Sequence, residues 1–318
     1  MIIKKPLHLT FSLAALIYLN TNFAREMRLE VKSRTELEGI PSASGVEFYG
    51  DSFYVIGDNS AWLFQYDASF RNLVKYPIHH QLGIQNDTIP KKEKPDFEAT
   101  TVVTQNSSAQ LYIFGSGSKS PMRDILVKLD LNNPTSYVSL SLENFYSQLK
   151  TGGVSELNIE GAVYANDYLY LFNRADNSII RVVYTEFELF LNDSNRALEF
   201  TLHKFSLPLL DNVQIAFSGA SLVPGTSTII FTASAEQTDN WIDDGAILGS
   251  YVGIIDLENL TNLNKPQVVG VLENGNTLKI KIESVTVKSA NRHKIQLVMV
   301  TDSDGGKSER VEANLFIE

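Results

Sequence analysis

The sequence predicts an all-β protein, a five-bladed β-propeller, and three observations carry that reading. Nearly every apolar segment is short, rich in Val, Ile, Tyr and Phe, and bounded by Gly, Asn, Asp or Ser, the pattern of strands and tight turns. One strand–turn–strand–strand unit recurs five times. Finally, an unpartnered strand stands ahead of the first unit, while the last unit runs out of chain one strand short.

In chain order, the first segment places Lys4 and Lys5 before an apolar stretch from Leu7 to Leu19 and a short polar region ending at Ala24. This is the pattern of a signal peptide over residues 1–24, and it implies export to the periplasm or outside the cell, with residues 25–318 forming a single propeller domain. MRLEVKSRTEL at Met27 is then the spare strand. The repeats come next, as SASGVEFYGDSFYVIGDNSAWLFQYD from Ser42, DFEATTVVTQNSSAQLYIFGSG from Asp96, NIEGAVYANDYLYLFNRADNSIIRVVY from Asn158, AFSGASLVPGTSTIIFTASAEQ from Ala216 and KIESVTVKSANRHKIQLVMVTDSDGG from Lys281. Segments such as NLVKYPIHH at Asn72 and EFTLHKFSL at Glu199 supply outer strands, and Glu143–Leu149 and Glu186–Leu191 read as short helices in connections.

Aligned on their first strands, the five copies put Ser44, Glu98, Glu160, Ser218 and Glu283 at one position, at intervals of 54, 62, 58 and 65 residues. Intervals of this size fit four-stranded blades, and the spare N-terminal strand is expected to complete the last blade and cover its edge. A six-bladed ring with one degenerate blade, or a β-sandwich, are the alternatives.

Three carboxylates converging on one axis repel one another unless a cation neutralises them. Calcium takes six to eight oxygen ligands in an adaptable shell, so Glu98, Glu160 and Glu283, with the hydroxyls of Ser44 and Ser218 and nearby carbonyls, form a candidate calcium site. Manganese is not distinguished from calcium at this level. The loops after the second strands gather at a channel mouth and bring together Asp58, Lys119, Arg123, Arg174, Glu236 and Asp302. Lysine and arginine there could hold phosphate while a carboxylate, Asp58 or Glu236, positions water.

At these residues the sequence resembles the soluble calcium-activated nucleotidase (apyrase) family of five-bladed propellers, whose inner strands supply Ser, Glu, Glu, Ser and Glu in this order. The resemblance implies calcium in the channel and nucleotide-facing roles for Asp58, Arg174 and Glu236, with Lys119 matched after a one-residue shift. Asn59 stands where that family has arginine and Ser234 where it has lysine, a loss of cations that should weaken polyphosphate binding.

Composition and motifs exclude several other classes. There is no cysteine, so neither a disulfide framework nor a lipid-anchored cysteine exists. Without residues 1–24 the formal net charge moves from −10 to −12, which argues against nucleic-acid binding. No other run has the length of a membrane span. There is no Walker A loop, dinucleotide fingerprint or G-x-S-x-G elbow, and His79, His80, His203 and His293 lack zinc-ligand spacing. Trp62 and Trp241 read as core or as ligand platforms. Two functions remain: a calcium-dependent hydrolase of small phosphate esters or anhydrides, apyrase-like or phytase-like, or a non-catalytic binding propeller in which calcium is structural.

Overall fold

The computed structural model describes residues 26–40, 42–79, 88–106, 108–238, 245–260, 265–302 and 307–318. Residues 1–24, read from sequence as a signal peptide, His80 and Trp241 lie outside the described residues.

Five antiparallel sheets surround one axis, each running from an inner to an outer strand. Blade 1 consists of Ala43–Tyr49, Ser52–Gly57, Trp62–Asp67 and Leu73–Pro77. Blade 2 consists of Phe97–Gln105, Ser108–Gly115, Ile125–Asp130 and Tyr137–Ser141. Blade 3 continues with Ile159–Ala165, Tyr168–Asn173, Ser178–Val183 and Phe200–Lys204. Blade 4 contains Val213–Leu222, Thr228–Gln237, Ala246–Asp256 and Gln267–Gly270, with the short strand Leu209–Leu210 added to the start of its inner strand. Blade 5 contains Lys281–Ala290, Lys294–Asp302, Ser308–Ile317 and, from the other end of the chain, Met27–Leu37. The ring therefore has five blades, and neither the six-bladed nor the sandwich alternative describes it.

The expected closure is present, with Met27 opposite Ile317 and Leu37 opposite Ser308 in an antiparallel ladder. It satisfies the edge of Ser308–Ile317, which would otherwise offer free backbone donors and acceptors to another chain. Two-residue turns such as Gly50–Asp51 and Asn166–Asp167 have positive φ at both positions. That geometry suits the right-handed twist of hairpin strands, and Gly, Asn and Asp tolerate it best. The two predicted helices form, as Glu143–Thr151 and Tyr184–Asn192, and their buried aromatics meet, Phe145 lying 5.0 Å from Phe187 ring to ring.

Apolar packing is organised between blades rather than within them. Five clusters of buried side chains fill the five interfaces, from Phe53 and Val55 against Val298 and Val300 at the closing seam to Phe172, Phe217 and Phe231 between blades 3 and 4. In the latter trio the rings meet edge-on at 5.1 and 5.2 Å. The sheet edges nearest the axis are tied by hydroxyls of the neighbouring blade. Thr286 Oγ1 accepts from Phe48 N at 2.9 Å, Ser284 Oγ from Val46 N at 3.3 Å and Thr101 Oγ1 from Tyr164 N at 2.9 Å. Each such bond contributes about 1 kcal/mol net. More importantly, they fix how far the inner strands stand from one another.

Candidate functional site

Every inner strand contains a β-bulge, and the five bulges fall at equivalent places. The register shifts lie between Ala43 and Gly45, Phe97 and Ala99, Ile159 and Gly161, Phe217 and Gly219, and Ile282 and Ser284. The residue left without a cross-strand partner is in turn Ser44, Glu98, Glu160, Ser218 and Glu283. The five positions equated by sequence are thus one structural position. A bulge adds a residue to one strand only, re-aims its side chain and is a common way to build a site at a sheet edge.

Four of the five, Ser44, Glu98, Glu160 and Glu283, line a single chamber of about 230 Å³ at one end of the channel. Ser218 does not line it. Its hydroxyl is fully buried without a hydrogen-bond partner, and the Arg174 guanidinium donates to the carbonyl of the preceding Phe217 at 3.4 Å. Of the mouth residues, Asp58, Arg123, Arg174, Glu236 and Asp302 line the chamber. Lys119 is exposed and does not, because its loop tip turns to solvent. Trp62 is half-buried at the start of a third strand and also stays outside the chamber.

Two further groups of lining residues escaped the sequence reading. Asp96, Asn158 and Lys281 stand two residues ahead of their bulges, as Ser42 does in blade 1. Lys91 and Lys94 come from the connection between blades 1 and 2. The chamber wall therefore consists of two stacked rings, an upper one two residues before the bulges and a lower one at them, with Asp58 and Arg174 hydrogen-bonded through their backbone N–H groups to the carbonyls of Ser42 and Asn158.

Charges alternate closely on this wall. Lys94 Nζ pairs with Asp58 and, at 2.8 Å, with Asp96, whose other oxygen accepts from Arg123, Ser116 and Ser118. Arg174 Nη2 lies 2.9 Å from Glu236 Oε2, and its Nε lies 4.0 Å from Glu160 Oε1. Lys281 Nζ reaches Glu283 at 3.0 Å and Glu236 at 3.6 Å. Asn158 donates to Glu160 at 2.8 Å.

Seven carboxylates and five basic side chains line the chamber, leaving two negative charges unmatched. The shortfall is visible atom by atom. Glu283 Oε2 and Asp58 Oδ1 are buried with no hydrogen-bond partner among the described residues, and Glu98 has neither a hydrogen bond nor an ion pair there. The oxygens of Asp58, Asp96 and Glu98 lie within 4.8 Å of one another.

Burial and crowding together set the protonation of the wall. Burial, then the neighbouring carboxylates of Asp96 and Glu160, push the Glu98 carboxyl well above its ordinary value. Burial raises Glu283 to about 8 despite the pull of Lys281. It likewise raises Glu160 against Arg174, and Asp58 against Lys94. Burial opposes the charged forms of Lys94 and Lys281, but Asp96 and Asp58 in one case and Glu283 in the other outweigh it and hold both ammonium groups above the usual lysine value. Burial thus favours the neutral forms of Glu98, Glu283, Glu160 and Asp58, while the nearby carboxylates favour the charged forms of Lys94 and Lys281.

A family model described as a family of unknown function, DUF6929, matches residues 39–315, from just before blade 1 to the end of the third strand of blade 5. The chain belongs to that family. No curated protein matches it. Among solved structures, the glutaminyl cyclase of Myxococcus xanthus is similar at 10% identity with a TM-score of 0.50, covering 91% of this chain and 97% of that one. A thermostable family-43 glycoside hydrolase is similar at 13% identity and a TM-score of 0.49, covering 88% and 93%. The β-propeller domain of Cps50 (Swd1) from Myceliophteria thermophila is similar at 10% identity and a TM-score of 0.35, covering 85% and 83%. The likeness to the cyclase extends to the fold and leaves the chemistry of the DUF6929 chamber to its own residues.

Proposed function

We propose that this protein is a calcium-binding propeller, exported as its N-terminal pattern implies, in which Glu98, Glu160 and Glu283 hold one ion with help from Ser44 and Asp58. The observation that carries the reading is the register of the five bulges, which makes Ser44, Glu98, Glu160, Ser218 and Glu283 one repeated position. The donor set is consistent with the ion on its Glu98 side, where Asp58, Asp96 and Glu98 bring oxygens within 4.8 Å of one another. It is all oxygen, it includes partnerless carboxylate atoms on Glu283 and Asp58, and its wall lacks two positive charges. The Ser-Glu-Glu-Ser-Glu order shared with the apyrase family supports the same assignment.

All four close-range cations, Lys94, Arg123, Arg174 and Lys281, are already paired with wall carboxylates. This favours an ion that organises the ring over a nucleotide clamp, and about 230 Å³ is small for a bound nucleotide, since ligand pockets start at about 300 Å³. The test is metal analysis of purified protein with thermal unfolding before and after chelation. One calcium per chain and a lower melting temperature on chelation are expected, as linkage requires. Protein that binds no calcium and melts unchanged with millimolar calcium overturns the reading.

A second reading, hydrolysis of a small phosphate ester or anhydride, is favoured by one observation: Asp58 combines an unpartnered oxygen and a raised affinity for protons with a position beside Lys94. Bound calcium would supply charge to a phosphoryl oxygen. Asp58 would take the proton of water, while Lys94 and Arg123 hold the Asp58–Asp96 pair in place. Phosphate release from p-nitrophenyl phosphate, pyrophosphate and ATP tests it. Loss of release in Asp58→Asn with calcium still bound supports this chemistry, and absence of release from all three substrates by calcium-loaded protein removes it.

A further inference from the structure

The opposite end of the channel is a second, chemically different cavity. It has a volume of about 300 Å³, and the far halves of all five inner strands contribute to its wall. The wall is made of aliphatic side chains, the rings of Phe48, Tyr49 and Tyr164, the hydroxyls of Thr101, Thr104, Thr286 and Ser221, and the amide of Asn166. Among the residues that line it, Glu47 is the sole charged one.

Glu47 is 8% exposed, and no described residue gives it a hydrogen bond or an ion pair. A buried carboxyl without a partner costs several kcal/mol when charged. Its neighbours do not relieve that cost. The hydroxyls of Thr101 and Thr286 accept from the backbone N–H groups of Tyr164 and Phe48, and neither donates to Glu47. Lys94, Arg123, Arg174 and Lys281 pair with acids of the first chamber, whereas no cation lines the throat beside Glu47.

We propose that this cavity is a second binding site, specific for a small organic ammonium ion with an apolar body, whose charge is met by the Glu47 carboxylate and whose chain lies against Phe48 and Tyr164. Three features of the wall select that class. The single negative charge matches a monocation and is too sparse a donor set for a metal, which needs several oxygens. Aromatic rings and aliphatic walls accept an alkyl chain and attract a cation placed over their faces. The volume lies at the lower bound of small-molecule pockets. The site stands independently of any reading of the calcium chamber.

The experiment is titration of the full chain with n-butylammonium and, separately, with n-butanol, a neutral ligand of similar size, followed by calorimetry and by backbone amide NMR shifts. The expected result is binding of n-butylammonium at least about tenfold tighter than n-butanol, the equivalent of one opposite charge in a partly desolvated site. Shifts should centre on Thr101, Tyr164 and Thr286. Glu47→Gln, nearly the same size and shape, should lose the same factor, whereas Glu199→Gln, at an exposed position that lines neither cavity, should bind n-butylammonium like wild type. Equal affinity for the two ligands, undiminished binding by Glu47→Gln, shifts centred on Glu98 and Glu160, or no binding of n-butylammonium each overturns the proposal. Should Glu47→Gln fail to fold, the ligand preference and the location of the shifts in the wild-type protein decide it alone.

Discussion

The two ends of the channel are built by the same five strands, yet one is a dense lattice of acids and bases and the other a greasy throat with a single acid. The difference lies in the bulges. Before them, and at them, polar and charged residues crowd the axis; beyond them the strands present Val, Ala, Thr and aromatic residues to it. Between the two lies a waist where the strands approach closely. A Cβ added at Gly219 would lie 2.6 Å from Ser284 Cα and 2.8 Å from Glu283 O, and one at Gly161 would lie 3.0 Å from Ala220 N. Propellers can thus carry two independent environments on one axis, because an inserted residue changes both the facing and the chemistry of the strand beyond it.

This contrast can be broken most forcefully at the crowded end. Arg174→Met strips Glu236 and Glu160 of their shared counter-ion in a buried setting, and calcium-free protein should lose about 3–5 kcal/mol of stability. Chemical denaturation with and without calcium measures this, and calcium should restore part of the loss. The waist comes next. Gly219→Ala forces a methyl against backbone of blade 5, which should cost about 1–3 kcal/mol by the same measurement. A smaller effect of opposite sense is expected for Lys94→Met. Removing an ammonium that already occupies the Asp58–Asp96 pair should tighten calcium binding by about tenfold, read by calorimetry, even as the calcium-free protein weakens.

The throat is tested by pH. Burial holds the Glu47 carboxyl well above its ordinary 4.5, so the folded protein keeps a proton that the unfolded chain releases. Stability contributed by this group is therefore complete below about pH 4.5 and declines as pH rises from there through the folded value, by at most about 1.4 kcal/mol per pH unit. Glu47→Gln should remove that part of the pH dependence. The variant should match wild type near pH 4 and exceed it at pH 8. Parallel pH curves for the two proteins would show that the throat is wetter than its geometry implies.

Much of this was legible in the sequence because repetition is legible. The blade count, the closing strand and the equivalence of Ser44, Glu98, Glu160, Ser218 and Glu283 all come from aligning five copies of one unit. Asp96, Asn158 and Lys281 were within reach of the same alignment moved back by two residues, since a strand that starts at the axis places its preceding residues there as well. Lys94 was not. It sits in a connection with no counterpart in other blades, and only the folded chain brings it to Asp58. Lys119 failed for the converse reason, since a loop tip near the axis in sequence terms has room to point away from it. Ser218 shows that an equivalent backbone position does not secure an equivalent surface when a longer side chain, here Arg174, reaches across from the next blade.

The ladder that completes blade 5 has a mechanical corollary. Met27 faces Ile317, and Glu318 N donates to Glu26 O at 3.0 Å, so the start of the one strand and the end of the other lie side by side. Tension applied through both ends would load that ladder one rung at a time, as in a zipper, instead of shearing all of its rungs together. Under such a load the clasp between Met27–Leu37 and Ser308–Ile317 would open first, while the chain segments that form the other four blades remained slack.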